Sequence, residues 1–176
     1  MPIQISFELS DKDLEHFRRM MNGVLAEVSQ YSPDEVLKKA RGVTADLENA
    51  SLPEFVRTRM QSLETLIDAL EDPEWQLPED ERSNILASLA YFSEPHDLVA
   101  DEIPGLGYVD DAIMIELVIQ DLSQDLDAYK EFCSFRKTEE RRRGAETKVN
   151  RESWLESKRI ELRSNMRRRR QLFSRQ

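Results

Sequence analysis

The chain has 176 residues, of which 34% are charged, only 5 are glycine and 7 are proline, and its formal net charge is −10. This length suffices for one sizeable core but not for two full domains, and the composition favours helices over a β-sandwich or barrel. The single cysteine, Cys133, excludes an internal disulfide and a cysteine-rich zinc module, so we expect a reducing, cytoplasmic environment.

The first predicted element is a strand over residues 3–9, where apolar and polar residues alternate. Because a single strand needs a partner, it has two interpretations: an extended arm laid over helices, or a strand that pairs with a second copy in a homodimer. The N-terminus lacks the basic flank and the continuous apolar run of a signal peptide, so we expect the mature protein to keep it.

Six helices are predicted after this strand, because apolar residues recur at intervals of three and four. They cover about 11–30, about 33–49, the segment from Val56 to Leu70, about 79–92, about 110–135, and a last helix that Asn150 begins. Ser10 with Asp13, and Ser32 with Glu35, predict capped N-termini for the first two helices.

Two further residues mark the connections. Gly144 predicts a helix end, and Trp75, in the acidic, proline-rich connection over 71–81, is expected to pack onto the body. The most apolar segment, residues 112–119, is far shorter than the roughly 20 apolar residues that a membrane span requires, so no transmembrane helix is expected.

Charge divides the chain into two regions. Residues 1–135 hold 10 basic against 29 acidic residues, a net −19, whereas residues 136–176 hold 15 against 6, a net +9. We therefore predict an acidic helical domain over 1–135 and a basic helical tail over 136–176. The predicted fold is all-α: a compact helical bundle with a short N-terminal strand or arm and a protruding Arg-rich C-terminal helix.

The stretch SEPHDLVADEIPGLGYVDDA, residues 93–112, contains two prolines and two glycines, which predict a compact link between helices. Its aspartates have two interpretations. In the first they stabilise the turn, with Asp97 accepting backbone N–H bonds, Asp110 capping the next helix and Asp111 in its first turn. In the second they hold a divalent cation such as Mg²⁺ or Ca²⁺, as in a metal-dependent enzyme. The candidate metal ligands are Asp97, Asp101, Asp110 and Asp111.

We favour the structural interpretation, because the spacing matches no established cation-binding loop and aspartates adjacent in sequence rarely point at one ion. A phosphohydrolase-type site at His96 and Asp97 would need more histidine than the 2 in the chain. No cofactor other than this cation is indicated, and we lean toward a protein without enzymatic activity.

The same stretch resembles the central motif of the YkvA-like bacterial proteins, a domain of unknown function. The matching positions are Pro95, Asp97, Leu98, Asp101, Ile103, Pro104, Leu106, Gly107, Asp110 and Asp111. This YkvA-like region covers about 80–125, and it departs from the pattern at His96, Ala100, Glu102 and Gly105. The resemblance implies a helical hairpin built around an acidic turn in a bacterial protein, and it implies no activity. Because the family usually has an apolar residue where this chain has His96, it also argues against a catalytic histidine.

The basic tail carries the functional prediction. Of its 15 basic residues, 12 are arginine, and guanidinium groups bind phosphates through two hydrogen bonds while staying charged. We predict a non-enzymatic adaptor that binds nucleic acid or a ribonucleoprotein, with Trp154 stacking on unpaired bases. The predicted binding residues are Arg141, Arg142, Arg143, Arg163, Arg167, Arg168, Arg169, Arg170 and Trp154. The alternatives are docking of the tail on the acidic body alone, an anionic membrane surface, and the acidic face of another protein.

Overall fold

The computed structural model describes residues 6, 8–28, 31–48, 52–91 and 109–173. Within these ranges the chain is all-α and compact, and it contains no strand. The helices are α1 (Asp11–Val28), α2 (Pro33–Glu48), α3 (Glu54–Glu71), α4 (Glu79–Ala90), α5 (Val109–Asp121), α6 (Ser123–Arg143) and α7 (Arg151–Phe173). Most of the predicted strand over 3–9 lies outside the described residues, and so do the arm and the homodimer pairing proposed for it.

The first two helices begin at the predicted capping boxes. The backbone N–H of Ser32 donates to Glu35 at 2.8 Å, and the N–H of Glu35 donates back to the Ser32 hydroxyl at 3.3 Å. Ser10 and Asp13 exchange the equivalent pair of bonds at 2.8 and 3.4 Å. Each pair satisfies backbone donors that the start of a helix otherwise leaves without acceptors.

Helix α3 is the central element of the first hydrophobic cluster. It packs against α2, α4, α5 and α6, and Val56, Leu63, Leu66 and Ile67 on it are fully buried. The other helices contribute apolar faces of the same three-and-four spacing, including Val36, Leu89, Met114 and Leu117. The first cluster thus forms the predicted core of the acidic region.

The prediction of a single helix over 110–135 is wrong in one respect, because the structure has two helices there, α5 and α6. Leu122 separates the two helices with φ −105° and ψ 15°. Hydrogen bonds from the Leu122 N–H to Val118 and from the Leu126 N–H to Leu122 are kept at 3.0 and 2.9 Å. The break is therefore a local departure from helical ψ without proline or glycine, which an apolar periodicity does not reveal.

The C-terminal helix does not protrude, contrary to the prediction. Helix α7 lies antiparallel to α6, with Arg151 bonded to Glu140 near one end and Arg170 bonded to Asp125 near the other. Its buried residues are Trp154, Leu155, Arg159, Leu162 and Met166. They complete a second hydrophobic cluster with Trp75, Tyr129 and Phe132. On α7 the apolar residues Leu155, Leu162 and Met166 form a narrow seam, and α6 and Trp75 supply the apolar surface that covers it.

The predicted helix end at Gly144 is confirmed. Gly144 follows α6 with φ 54°, a backbone conformation that favours glycine. The composition boundary between residues 135 and 136 falls inside the continuous helix α6. Trp75, on the α3–α4 connection, is 1% exposed, which confirms that it packs onto the body. Among the described helices, none combines the length and apolar character that crossing a membrane requires.

Candidate functional site

Helix α7 is attached to the body through the connection between α3 and α4, residues 72–78. The Arg159 guanidinium donates to the backbone carbonyl of Glu74 at 2.7 Å and also to the Glu152 carboxylate. Arg163 donates to the carbonyls of Trp75 and Gln76 at 2.8 and 2.5 Å. Burial lowers the pKa of the Arg163 guanidinium. Arg159 is 2% exposed and Arg163 is half-buried, so both guanidiniums form contacts within the molecule.

Two carboxylates on the same connection hold two further arginines. Arg136 bridges Asp72 and Glu74 at 2.8 and 3.0 Å, and Arg151 contacts Glu74 at 2.5 Å. Hydrogen bonds from Arg151 hold the pKa of Glu74 below its ordinary value. Burial alone would raise the pKa of Asp72, but the hydrogen bonds and charge of Arg136 outweigh it and the net pKa is lowered. Both carboxylates are therefore ionised partners of the basic segment.

A third contact joins the far end of α7 to the starts of α4 and α6. Arg170 donates to both oxygens of Asp125 at 2.9 and 3.0 Å and lies 3.9 Å from Glu81. Burial, together with the charge of Asp125, raises the pKa of Glu81. This end of the helix therefore holds two nearby carboxylates with one guanidinium between them.

The predicted binding residues consequently fall into different environments. Arg163 is committed to backbone carbonyls, and Arg143 is bonded to Glu139 at 2.9 Å with its guanidinium 5.1 Å from the Trp154 ring. Arg142 and Arg170 are exposed but each has a carboxylate partner. The predicted residues that are exposed and form no hydrogen bond or ion pair with any described residue are Arg141, Arg167, Arg168 and Arg169.

The exposed arginines form two groups and not one continuous patch. The loop-end arginines, Arg141 and Arg142, lie at the C-terminal end of α6, and the C-terminal arginines, Arg167, Arg168 and Arg169, lie on the last turns of α7. Helices α6 and α7 form an antiparallel pair, which we call the α6–α7 hairpin. The two groups of arginines are therefore at opposite ends of this hairpin. The rise along α7 puts them roughly 24 Å apart.

Between the two groups, α6 and α7 border a groove of about 390 Å³, which we call the aromatic groove. Phe135 and Trp154 line it, with ring centroids 5.9 Å apart and an interplanar angle of 62°. Trp154 is 9% exposed, and the guanidinium carbons of Arg143 and Arg151 lie 5.1 and 5.2 Å from its ring centroid. Phe135, which was not among the predicted binding residues, is the less buried of the two rings.

The candidate metal ligands are only partly described. Asp110 and Asp111 lie in the first turn of α5, so Asp110 is inside the helix and not at the cap position expected for it. Asp97 and Asp101 lie outside the described residues. Across the ranges that the structure does describe, no group of three or more His, Cys, Asp or Glu side chains could hold a metal ion.

Sequence reasoning missed the arginines that fasten α7 to the body. A signal for Arg159 was present, because it follows Leu155 by four residues and precedes Leu162 by three, which places it on the apolar seam of the helix. A charged residue on such a seam indicates a buried partner. No local signal identified that partner as the Glu74 carbonyl.

Residues 82–117 match the model of a family described as a protein of unknown function, DUF1232. The match begins in α4 and ends in α5, and it includes residues 92–108, which lie outside the described ranges. It supports an uncharacterised domain family for this segment and leaves out α6 and α7. No curated protein and no solved structure is significantly similar to the chain.

Proposed function

We propose that the protein is a non-enzymatic binding protein that holds nucleic acid, alone or in a ribonucleoprotein, through the α6–α7 hairpin. The observation that carries this proposal is the exposure of Arg141, Arg167, Arg168 and Arg169 without a partner among the described residues. A chain with a net charge of −10 has ample carboxylate to neutralise them. Guanidinium groups left uncompensated are suited to phosphates, which accept their paired N–H donors.

The arginines that fasten the hairpin to the body support this role indirectly. Because Arg136, Arg151, Arg159 and Arg163 fasten the hairpin to the α3–α4 connection, the exposed arginines project from a fixed scaffold. A fixed scaffold loses less conformational entropy on binding than a flexible tail does. Among the described residues, four of the predicted arginines are free for phosphates, so the salt dependence of binding should be smaller than 12 arginines would predict.

The test is the salt dependence of oligonucleotide binding, measured by fluorescence anisotropy. The triple variant Arg167→Gln, Arg168→Gln, Arg169→Gln should bind more weakly than the wild type. Its plot of log affinity against log salt should be shallower by about 2, since each lost contact with a single strand contributes about 0.7. Point substitutions are preferable to deletion of residues 136–176, which would cut α6 and uncover Trp75 and Phe132.

The matched control removes three exposed charges from the acidic body: Lys12→Gln, Arg19→Gln and Lys38→Gln. It changes the net charge by the same amount, so unchanged or only slightly weakened binding is expected. Equal loss in both triple variants would show that net charge alone matters. Binding that neither salt nor the α7 variant weakens would overturn the proposal.

Two finer assignments belong to the same proposal. We infer that the segment matched by the family model is of the YkvA-like bacterial type, which the motif from Pro95 to Asp111 supports. We also place the protein in the cytoplasm, which the single, half-buried and unpaired Cys133 supports.

A further inference from the structure

We propose that the aromatic groove binds an unpaired base, which makes the α6–α7 hairpin a site for single-stranded nucleic acid. This inference rests on the proposed function and adds to it the class of nucleic acid. The groove has a volume of about 390 Å³, within the usual range for small-molecule sites. Phe135, the more exposed of its two aromatic rings, offers the kind of surface on which bases stack in single-strand binding proteins.

The cations that border the groove are paired with carboxylates, which favours an uncharged ring over a phosphate in the groove itself. Lys158 lies 5.4 Å from the Phe135 ring centroid and is paired with Glu131 and Glu161 at 3.0 and 3.2 Å. At the other end, Arg143 is paired with Glu139 at 2.9 Å. Each cation that borders the groove therefore has a carboxylate partner, and because Glu139 is shared by Arg143 and Arg142, one positive charge is left over at that end, next to the groove.

Polar groups at the groove match the edge of a base. Asn150 and Ser153 line it, and an amide and a hydroxyl can each donate and accept hydrogen bonds. The indole Nε1 of Trp154 is buried and has no acceptor within the part of the chain that the structure describes. Asn150 and Ser153 are therefore the groups that would bond the edge of a bound base.

Helical spacing puts phosphate-binding arginines on the groove side of both helices. On α7, one stripe at intervals of four and three contains Trp154, Lys158, Glu161, Asn165 and Arg168. On α6, Arg142 follows Phe135 by two full turns. From the groove, Arg142 is thus about 10 Å away in one direction and Arg168 about 15 Å away in the other.

This arrangement suits a strand that runs along the hairpin, with one base in the groove and its neighbouring phosphates at Arg142 and Arg168. A duplex keeps its bases paired and stacked inside, so it can reach the arginines but cannot fill the groove. Single strands should therefore bind more tightly than a duplex of the same sequence. Loss of one stacked base weakens binding by about 5- to 150-fold.

The experiment compares three labelled ligands by anisotropy: a single-stranded 12-mer, the same sequence as a duplex, and a 12-mer of abasic sugar-phosphate units. The test variant is Phe135→Leu, which keeps an apolar side chain but removes the ring. Its matched control is Phe55→Leu on α3, where the phenylalanine is 40% exposed and belongs neither to the groove nor to the second hydrophobic cluster. Thermal unfolding of each variant verifies that the fold is kept.

We expect Phe135→Leu to weaken binding of the single strand by at least 5-fold, and to leave the duplex and the abasic ligand unchanged. Because Phe135 also packs on Trp154, a second variant, Ser153→Leu, fills the groove from an exposed position and should have the same effect. Wild-type affinity for the single strand in both variants, or an abasic ligand that binds as well as the base-containing strand, would overturn the inference.

The same ligands separate this inference from the proposed function. If all three bind equally and only the arginine variants weaken them, the hairpin binds phosphate and the groove has no role. If none binds, while vesicles containing anionic phosphatidylglycerol do, both the proposed function and this inference fail in favour of a membrane surface.

Discussion

The guanidinium of Arg159 donates a 2.7 Å hydrogen bond to the backbone carbonyl of Glu74, 85 residues earlier in the chain. The arginine is 2% exposed, so it belongs to the core although it comes from the basic tail. The bond joins α7 to the connection between α3 and α4. The basic tail, which was predicted to protrude, is therefore packed against the rest of the protein.

Replacing this arginine should destabilise the protein. In Arg159→Met the side chain keeps its apolar length, but the Glu74 carbonyl loses its donor, and we expect a loss of about 1–3 kcal/mol. Arg168→Met, on the exposed part of the same helix, is the control and should change stability by less than about 0.5 kcal/mol. Urea unfolding followed by circular dichroism measures both, and equal midpoints would contradict a structural role for Arg159.

Among the glycines that the structure describes, Gly144 should be the one at which alanine destabilises the protein. Its φ of 54° disfavours a side chain, so Gly144→Ala should cost about 1–3 kcal/mol. Gly42→Ala is the matched control, because Gly42 lies within α2 and an added Cβ meets nothing within 4 Å. That substitution should stabilise by about 0.5–1 kcal/mol. Thermal unfolding measures both variants. A higher unfolding temperature for Gly144→Ala than for Gly42→Ala would show that the backbone after α6 adjusts to a side chain without cost.

Glu81 should make the protein less stable as pH rises. Its pKa is raised in the folded state by burial and by Asp125, so the folded protein holds this proton more tightly than the unfolded chain does. The cost is absent below the ordinary value of 4.5 and complete above the raised pKa. Glu81→Gln should therefore raise the unfolding temperature at pH 7, and the gain should vanish below about pH 4.5. A gain that does not depend on pH would point to packing instead.

Asp72 and Glu74 affect stability in the opposite direction: their contribution should make the protein more stable as pH rises. Their lowered pKa values mean that their stabilisation is complete above the ordinary values of 3.8 and 4.5 and is lost as pH falls through the lowered ones. Asp72→Asn should therefore cost about 1.5–3 kcal/mol at pH 7, because it removes the charge that holds Arg136. The difference from the wild type should shrink below about pH 3.8, and unfolding measured across pH 3 to 7 checks this.

The acidic turn should not respond to divalent cations. We expect Mg²⁺, Mn²⁺ or Ca²⁺ to leave the melting temperature equal to that in EDTA, because aspartates that stabilise a turn need no ion. A bound cation would stabilise the folded state by mass action, by about 2.7 kcal/mol at a concentration 100 times the dissociation constant. An increase that EDTA reverses would support the site at Asp97, Asp101, Asp110 and Asp111.

Local features of the fold could be predicted from the sequence because their causes are local. Ser10 and Ser32 cap helices through partners three residues away, and Gly144 ends a helix through its own φ. Leu122 carries no such marker, so the division between α5 and α6 was missed. The docking of α7 was missed because the surfaces that cover its seam, Trp75 and α6, come from other parts of the chain.

In the candidate site, too, contacts between distant parts of the chain could not be predicted from the sequence. Arg141 and Arg168 were predicted to bind nucleic acid together with Arg163, because residue type alone does not distinguish an exposed guanidinium from one that is bonded inside the protein. What separates them is a set of carbonyl acceptors on residues 74–76, and only the packed structure brings those acceptors within reach. The count of arginines could be read from the sequence, but their division between interior and surface could not.

Both tryptophans of the chain, Trp75 and Trp154, belong to the second hydrophobic cluster. Intrinsic fluorescence from these indoles therefore reports mainly on the second hydrophobic cluster and much less on the first cluster around α3, whereas helix content reports on the whole chain. A denaturation curve followed by emission and one followed by ellipticity coincide only when the two cores melt as a single cooperative unit. A difference between the midpoints of the two curves would show that the α6–α7 hairpin unfolds separately from the first hydrophobic cluster.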